Sequence, residues 1–228
     1  MGASTERDER TATSDIFECI GDTPLIEVTD ASEEANATIY GKLEFFNPSN
    51  SIKDRIYHEM ITAAIERGDL ESGMEILECS TGNAGIACTF VGTRLGYDVT
   101  IVMPEGMSEE RKKVIRAYGG TLVETPGGES DVDISMERVE EMLDESPGDY
   151  WFPNQFTNPD NPVAHEKTTG VEIVEQFDGA PDAFMAGQGT GGAGTRGGGR
   201  PPGAGPPTAP DALQPPPAPL PSAPGGGP

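Results

Sequence analysis

The order of apolar and polar residues alternates between strand-like and helix-like segments over residues 37–186. Short apolar runs predict strands, and longer segments with apolar residues every three or four positions predict helices. The predicted strands cover residues 37–45, 75–79, 98–104, 121–125, 148–154 and 182–186. The predicted helices cover residues 53–68, 83–96, 108–120, 130–146 and 165–177.

This alternation of strands and helices is typical of an α/β fold, in which helices flank a parallel sheet. The first predicted helix supports the assignment, because Ile56, Met60 and Ala64 fall on one of its faces. In open sheets of this kind, ligands collect at the carboxyl ends of the strands. We therefore expect functional residues in the loops that follow the predicted strands.

The composition changes near residue 193. Residues 193–228 contain 12 Pro and 9 Gly, no aromatic residue, and only Leu213 and Leu220 as large apolar residues. Such a segment cannot bury enough apolar surface to offset the entropy lost on ordering its backbone. We expect a disordered Gly/Pro/Ala-rich tail over residues 193–228 and a disordered, polar N-terminus over residues 1–13, without the apolar stretch of a signal peptide.

The charge balance narrows the class of partner. The chain has 39 Asp and Glu against 15 Lys and Arg, which gives a formal net charge of −24. A solvated acidic surface of this kind resembles those of halophilic proteins. It argues against nucleic-acid binding, which needs a basic surface. No apolar run approaches the length of a membrane-spanning helix.

Three cysteines, an odd number without metal-ligand spacing, indicate reduced thiols and a cytoplasmic location rather than disulfides. No metal site is predicted from them. The two histidines, His58 and His165, are predicted to be structural or solvated.

The first segment with chemical potential is NPSNSIKDR, which spans residues 47–55. Its turn-forming residues bring Lys53 to the first position of a predicted helix, where the positive helix end disfavours a second positive charge. A lysine with a lowered pKa is suited to Schiff-base chemistry, because only the neutral amine attacks a carbonyl. On this segment alone, a solvated lysine in a first helical turn is the simpler alternative.

The second segment is ECSTGNAGIA, residues 78–87, in which a predicted strand turns directly into a helix. Backbone N–H groups and two hydroxyls at a helix N-terminus form an anion site, for a carboxylate or a phosphate. Ser, Thr and Asn are also ordinary N-cap residues, so capping is the competing interpretation.

Two further segments are turn-rich. NQFTNPDNP, residues 154–162, could present Gln155 to a ligand or merely connect domains. In the second, the predicted strand 182–186 leads into GQGTGG, residues 187–192, whose backbone amides could cradle a phosphate. The glycines could equally begin the disordered tail, since no Gly-Lys-Ser/Thr of a P-loop follows them.

These segments, with GDTPL at residues 21–25 and VMPEGMSEERKKVIRAYGG at residues 102–120, closely resemble the cysteine synthase / cystathionine β-synthase family over residues 14–192. The family consists of pyridoxal phosphate (PLP) enzymes with the two-domain, tryptophan-synthase-β-like fold, known as fold type II. The resemblance implies that residues 14–46 and 153–192 belong to an incomplete larger domain. Residues 47–152 then form the PLP-lysine helix and the small α/β domain.

The resemblance also implies a role for each matching residue. Lys53 matches the lysine that holds PLP and moves the Cα proton. The residues that match the grip on the substrate α-carboxylate are Ser80, Thr81, Gly82, Asn83, Ala84 and Gln155, and Asn83 also approaches PLP. The residues that match the cofactor's phosphate cup are Gly189, Thr190, Gly191 and Gly192.

The implied reaction is a β-replacement. An activated serine such as O-acetylserine loses its β-substituent, and sulfide or a thiol adds to give cysteine or a thioether. The expected partners are therefore a small amino-acid substrate and sulfide or a thiol, without nucleic acid or membrane. A homodimer is expected if the fold is complete.

The sequence departs from the family pattern at Ala84, where Thr is common, and at Ala193, where Thr or Ser normally continues the phosphate cup. From residue 193 onward the family's remaining elements are replaced by the tail. We hypothesise that residues 193–228 arise from out-of-frame translation of a GC-rich gene and that activity is impaired. Sequencing the DNA through codon 192 tests this hypothesis.

Two alternatives to a cysteine synthase stay open. One is a non-catalytic remnant, folded over residues 47–152, that binds anions or partners. The other is a Ser/Thr dehydratase of the same fold, although the motifs at residues 21–25, 53–55 and 154–162 favour the synthase.

Overall fold

The structure is a computed structural model that describes residues 13–177, 179–187, 190 and 192. Its strands are β1 (Leu25–Glu27), β2 (Tyr40–Lys42), β3 (Glu75–Cys79), β4 (Val99–Pro104), β5 (Thr121–Thr125) and β6 (Tyr150–Trp151). Its α-helices are α1 (Thr29–Ala35), α2 (Lys53–Arg67), α3 (Asn83–Arg94), α4 (Glu109–Ala117), α5 (Val132–Glu145), α6 (Asp160–Lys167) and α7 (Thr169–Phe177). Short 3₁₀ helices cover Ile16–Cys19 and Glu44–Phe46.

Four strands form a parallel sheet in the order β5-β4-β3-β6. The chain proceeds from β3 through β4 to β5 on one side, then returns to place β6 on the other side of β3. The strand order therefore reverses between β3 and β6. Strands β1 and β2 form a separate antiparallel pair, with Ile26 opposite Gly41.

Both faces of the parallel sheet are covered. Adjacent residues of a strand point to opposite faces, and Ile76 accordingly joins the apolar cluster formed with α2 and α3. Its neighbour Leu77 joins a second cluster, which contains Val139 and Met142 of α5. This two-sided burial explains why β4 reads as a nearly continuous apolar run.

The predicted α/β fold is confirmed for the central part of the chain. The helix predicted over residues 53–68 is α2, and Ile56, Met60 and Ala64 on its predicted inner face are fully buried. The strand predicted over residues 75–79 matches β3 residue for residue. The other helices and strands predicted between residues 83 and 154 are present, with their ends shifted by a few residues.

The helix predicted over residues 165–177 is wrong as a single element. The structure has α6 and α7 instead, and Thr168 between them leaves helical geometry at φ −123° and ψ −79°. The segment 154–162 reads as a turn because of its prolines, yet α6 begins within it. Pro162 lies in the first helical turn, where a missing N–H costs no hydrogen bond.

The predicted strand over residues 182–186 is also wrong, because these residues pair with no strand in the described part of the chain. Met185 within it is 81% exposed. The strand predicted over residues 37–45 is shortened to β2, since its partner β1 offers only three residues for pairing. Elements β1 and α1 were not predicted, because both are too short to show a period.

The predicted disordered segments, residues 1–13 and 193–228, lie outside the described residues apart from Thr13. In the described part of the chain, every helix falls short of the length and apolar character needed to cross a bilayer. The domain boundaries at residues 47 and 153 remain predictions.

Candidate active site

The reversal of strand order places two predicted substrate loops side by side. Residues 80–84 follow the carboxyl end of β3, and Gln155 follows the carboxyl end of its parallel neighbour β6. In open α/β sheets, ligands bind outside the carboxyl ends of the strands where the order reverses. The topology therefore brings together loops that lie about 70 residues apart in sequence.

Lys53 is the first residue of α2 and is half-buried. Its backbone N–H donates to Ser51 Oγ at 3.2 Å, which fixes the start of the helix. Burial lowers the pKa of the Lys53 ammonium, which is the expected direction, although the cause is burial rather than the helix end. A half-buried lysine with a lowered pKa differs from the fully solvated lysine of the alternative interpretation.

The turn before Lys53 is held by a buried carboxylate. Asp54 accepts hydrogen bonds from both the backbone N–H, at 2.6 Å, and the hydroxyl of Ser49. Asn50, inside this turn, has a left-handed φ of 65°, a conformation that asparagine tolerates better than most residues. These contacts hold the turn in place, so the turn as well as the helix determines where Lys53 lies.

The residue after next, Arg55, is at the centre of a buried cluster of charges. Its guanidinium lies 2.8 Å from Glu44 and 2.5 Å from Glu172, and Lys42 lies 2.6 Å from Glu172. Burial alone would raise the pKa of Glu172, but hydrogen bonds from Arg55 and Lys42 lower it to about 2. This cluster was not predicted, because local periodicity gives no signal for a pair separated by 117 residues.

The loop after β3 is organised by Ser80. The Ser80 hydroxyl oxygen accepts the backbone N–H groups of Gly82, at 3.2 Å, and Gly85, at 2.8 Å. Arg111 donates to the carbonyl oxygen of Thr81 at 3.1 Å and ties the loop to α4. Ser80 therefore caps the start of α3, as the competing interpretation proposes. This cap lies at the place where the anion site is predicted.

Within this loop, exposure differs from residue to residue. Asn83 is exposed, Thr81 and Gly82 are half-buried, and Ala84 is buried. The loop thus offers its middle residues, rather than Ala84, to solvent at the end of the sheet.

A buried carboxyl group lies directly behind the loop. Tyr57, one turn after Lys53, donates its hydroxyl to Glu78 Oε2 at 2.8 Å, and the Cys79 N–H donates to Glu78 Oε1 at 2.9 Å. Burial raises the pKa of Glu78 to about 8, although these two hydrogen bonds oppose the shift. The pair joins α2 to β3, and the sequence gives no signal for it because its two residues lie 21 positions apart on different elements.

Gln155 is buried, and its side-chain oxygen has no hydrogen-bond partner among the described residues. The backbone carbonyl oxygen of Gln155 accepts a hydrogen bond from Asn161 Nδ2 at 2.7 Å, and the same Nδ2 donates to Thr190 Oγ1 at 2.9 Å. Asn161 thereby joins the loop of Gln155 to the predicted phosphate cup. Of the other cup residues, Gly192 is described and buried, whereas Gly189 and Gly191 lie outside the described residues.

His165 lies on α6, which follows the loop of Gln155, and it is close enough to Lys53 to be affected by its charge. Burial, together with the nearby positive charges of Arg55 and Lys53, lowers the pKa of His165 to about 4. The ring nitrogen Nδ1 forms a hydrogen bond with Thr169 Oγ1 at 3.0 Å. His165 is therefore a buried, paired side chain, in agreement with its predicted structural role.

Metal ligands do not gather in the described ranges, where no group of three or more His, Cys, Asp or Glu side chains could hold an ion.

Comparison with known proteins gives a consistent result. A family model described as "Pyridoxal-phosphate dependent enzyme" matches residues 16–195. The chain is 43% identical over 178 residues to a cysteine synthase of Staphylococcus aureus, and 44% identical over 183 residues to cysteine synthase A of Escherichia coli. A solved cysteine synthase structure from Entamoeba histolytica matches with a TM-score of 0.79 at 39% identity, covering 87% of this chain and 59% of that one.

The two curated matches each cover 78% of this chain, which spans 56% of the S. aureus protein and 55% of the E. coli protein. The chain thus spans little more than half the length of these relatives. The activity of the whole relatives is for that reason a proposal when it is applied to this chain.

Proposed function

The chain belongs to the family of pyridoxal-phosphate dependent enzymes, and from this premise we propose that its site supports β-replacement of the cysteine synthase type. The amino-acid substrate is an activated serine such as O-acetylserine, and the second substrate is sulfide or a thiol. The observation that carries the proposal is that residues 80–84 and Gln155 follow the carboxyl ends of two neighbouring parallel strands, β3 and β6, where the strand order reverses.

The residues present fit the cofactor in two respects. Lys53 is half-buried with a lowered pKa, which is what an amine needs to react with an aldehyde near neutral pH. Gln155 and Asn161 each have a buried side-chain oxygen without a hydrogen-bond partner among the described residues. Because buried polar groups are rarely left unpaired, such oxygens support a site that a polar ligand completes.

Each residue then has a task that its surroundings allow. Lys53 would hold the cofactor and accept a proton from the Cα of the substrate at Nζ. The loop over residues 80–84 and Gln155 would bind and orient the substrate carboxylate. Thr190, with Gly189, Gly191 and Gly192, would hold the phosphate. When bound, pyridoxal phosphate supplies an electron sink for the negative charge that develops at Cα.

The test begins with the purified 228-residue chain and added PLP. We expect an absorption band in the visible range that disappears in Lys53→Ala. The matched control is Lys113→Ala, which removes an exposed lysine of α4 and should leave the band unchanged. If no band depends on Lys53, the cofactor site is refuted.

Turnover is measured next, with O-acetylserine in the presence and absence of sulfide. Cysteine formed only with sulfide supports β-replacement. A 2-keto acid formed whether or not sulfide is present would contradict it in favour of a dehydratase. A Lys53-dependent band without any product would contradict catalysis and favour a non-catalytic binding protein.

A further inference from the structure

Asn161 is the side chain through which the loop of Gln155 contacts the residues of the predicted phosphate cup. It is 2% exposed and lies in the first turn of α6. Its two Nδ2 hydrogens are shared between the Gln155 carbonyl oxygen, at 2.7 Å, and Thr190 Oγ1, at 2.9 Å. One buried carboxamide therefore fixes the distance between two segments that lie about 30 residues apart.

The oxygen of the same carboxamide has no hydrogen-bond partner among the described residues. It faces Gly192, because a Cβ built on Gly192 would lie 2.2 Å from Asn161 Oδ1 and 2.9 Å from Asn161 Cγ. Contacts under 3.0 Å are not found for real Cβ atoms. The glycine at residue 192 thus allows the backbone of the cup to approach Asn161.

We propose that Asn161 is a positioning residue for the cofactor phosphate: it holds Thr190 and the backbone at Gly192 in the arrangement that binds the phosphate group. This inference rests on the proposed function, since it assigns a residue to the phosphate end of the same site. Asn161 itself acts through Thr190 and is not assigned to the reacting atoms.

The proposal assigns the aldehyde and the phosphate of PLP to different residues of the site. Lys53 would hold the aldehyde end of the cofactor, whereas the cup, positioned by Asn161, would hold its phosphate. Pyridoxal has the same aldehyde and ring but lacks the phosphate. A defect confined to the cup should weaken binding of PLP and leave binding of pyridoxal unchanged, whereas general misfolding should weaken both.

The experiment titrates the full-length protein with PLP and with pyridoxal and follows the visible absorption band of each complex. We expect Asn161→Ala to weaken PLP binding by at least about tenfold, the typical effect of losing one well-placed hydrogen-bonding group. Asn161→Leu retains the size of the side chain and its neutrality but lacks the Nδ2 donor, and we expect it to lose the preference for PLP over pyridoxal. It serves as the second variant if Asn161→Ala does not fold.

Asn158→Ala is the matched control. Asn158 lies in the same loop, but its Nδ2 donates to the Pro153 carbonyl oxygen and its Oδ1 accepts the Asp160 N–H, away from the cup. We expect this variant to keep the ratio of PLP to pyridoxal affinity of the unmodified protein.

A second measurement uses the close approach of the two residues. Gly192→Ala should weaken PLP binding because its new Cβ displaces the Asn161 carboxamide. Combined with Asn161→Ala, it should cost less than the sum of the two single changes, since the clash is removed.

The outcomes distinguish this inference from the proposed function. If the unmodified protein shows no Lys53-dependent band, both are overturned. If the unmodified protein binds PLP and the Asn161 variants keep its preference for PLP over pyridoxal, the role of Asn161 alone is overturned.

Discussion

Gly21 lies in the loop between the first 3₁₀ helix and β1, directly against the buried side chains of Arg55 and Glu172. Its φ of +89° lies in the left-handed region that favours glycine. A Cβ at this position would lie 2.8 Å from Glu172 Oε1 and 3.0 Å from Arg55 Nη1. The backbone N–H of Gly21 also donates to Asn47 Oδ1 at 2.9 Å. The loop can therefore close over the ion pair only when residue 21 has no side chain.

We expect Gly21→Ala to lower the free energy of unfolding by about 2–4 kcal/mol, as the sum of left-handed strain and displacement of a buried ion pair. The matched control is Gly68→Ala at the end of α2. Gly68 has φ +77° and no atom within 4 Å of its built Cβ, so only strain of about 1 kcal/mol is expected. Urea unfolding measures both, and equal losses would contradict a steric role for Gly21.

Glu78 is a buried acid whose protonation should affect stability across neutral pH. The unfolded chain releases this proton near pH 4.5, whereas the folded protein holds it up to about pH 8. Between these values the folded state binds more protons than the unfolded state, so the free energy of unfolding falls as pH rises. The total fall is on the order of a few kcal/mol.

Glu78→Gln should remove this part of the pH dependence, because its amide is neutral throughout and can still accept the Tyr57 hydroxyl. Urea unfolding between pH 5 and pH 8 provides the measurement. Glu71→Gln, which changes an exposed carboxylate, is the control and should keep the slope of the unmodified protein. An unchanged slope in Glu78→Gln would show that Glu78 is already ionised in the folded state at neutral pH.

At the level of elements, α2 and α7 are held together by charge. Arg55 of α2 is 2% exposed and donates to both carboxylate oxygens of Glu172, at 2.5 and 2.9 Å. Helix α7 otherwise leaves Val171 and Val174 partly exposed. The buried ion pair is consequently a principal contact that positions α7 against the helix that begins with Lys53.

Replacing Glu172 by Gln should lower the free energy of unfolding by about 3–5 kcal/mol, because it leaves a buried guanidinium with one carboxylate instead of two. Glu175→Gln on the same helix removes an exposed carboxylate and should change stability by less than about 0.5 kcal/mol. Because the pair is buried, raising the salt concentration should not reduce the difference between the two variants. A difference that disappears at 1 M KCl would indicate a solvent-exposed pair instead.

Acid gives an independent check on the same ion pair. The pKa of Glu172 is about 2 in the folded state and 4.5 in the unfolded chain. The stabilisation is therefore complete above about pH 4.5 and is lost as pH falls toward 2. Glu172→Gln should lose less stability than the unmodified protein over that range, and a parallel decline of both would contradict the assignment.

The elements that could be predicted from sequence are those whose burial repeats locally. Strand β3 and helix α2 were predicted to within one residue, because Ile56, Met60 and Ala64 recur at helical spacing and the short segment 75–79 ends at a Ser-Thr-Gly turn. The boundary at Thr168 could not be predicted, since it depends on how α6 and α7 pack rather than on a local breaker. The same is true of residues 182–186, whose apolar side chains look strand-like until their pairing is considered.

The residues of the candidate site also divide into those with a local sequence signal and those without one. Lys53, residues 80–84 and Gln155 could be proposed from sequence, because they lie in short continuous motifs whose order resembles that of the family. Asn161, Glu172 and the Tyr57–Glu78 pair could not, because each acts through a partner 21 to 117 residues away. Contacts of that range depend on how the helices, strands and loops pack together, which no local sequence pattern encodes.

For the whole molecule, the dominant physical feature is its net charge of −24. Like charges dispersed over a small protein repel one another and oppose the compact state. Screening shortens the range of that repulsion from about 8 Å at 0.15 M salt to about 3 Å at 1 M salt. Salt should therefore stabilise this protein, in contrast to its neutral effect on the buried ion pair of Arg55.

We expect the midpoint of thermal unfolding to rise by about 4–8 °C between 0.05 M and 1 M KCl, which corresponds to a recovery of about 2 kcal/mol. Chloride is chosen because sulfate would also strengthen the burial of apolar surface. A variant that neutralises three exposed acids of α1, with Asp30→Asn, Glu33→Gln and Glu34→Gln, should be more stable at low salt and respond less to KCl. If the triple variant and the unmodified protein respond equally, the repulsion is too diffuse for α1 to contribute. If KCl leaves the midpoint of the unmodified protein unchanged, the acidic surface does not limit its stability at all.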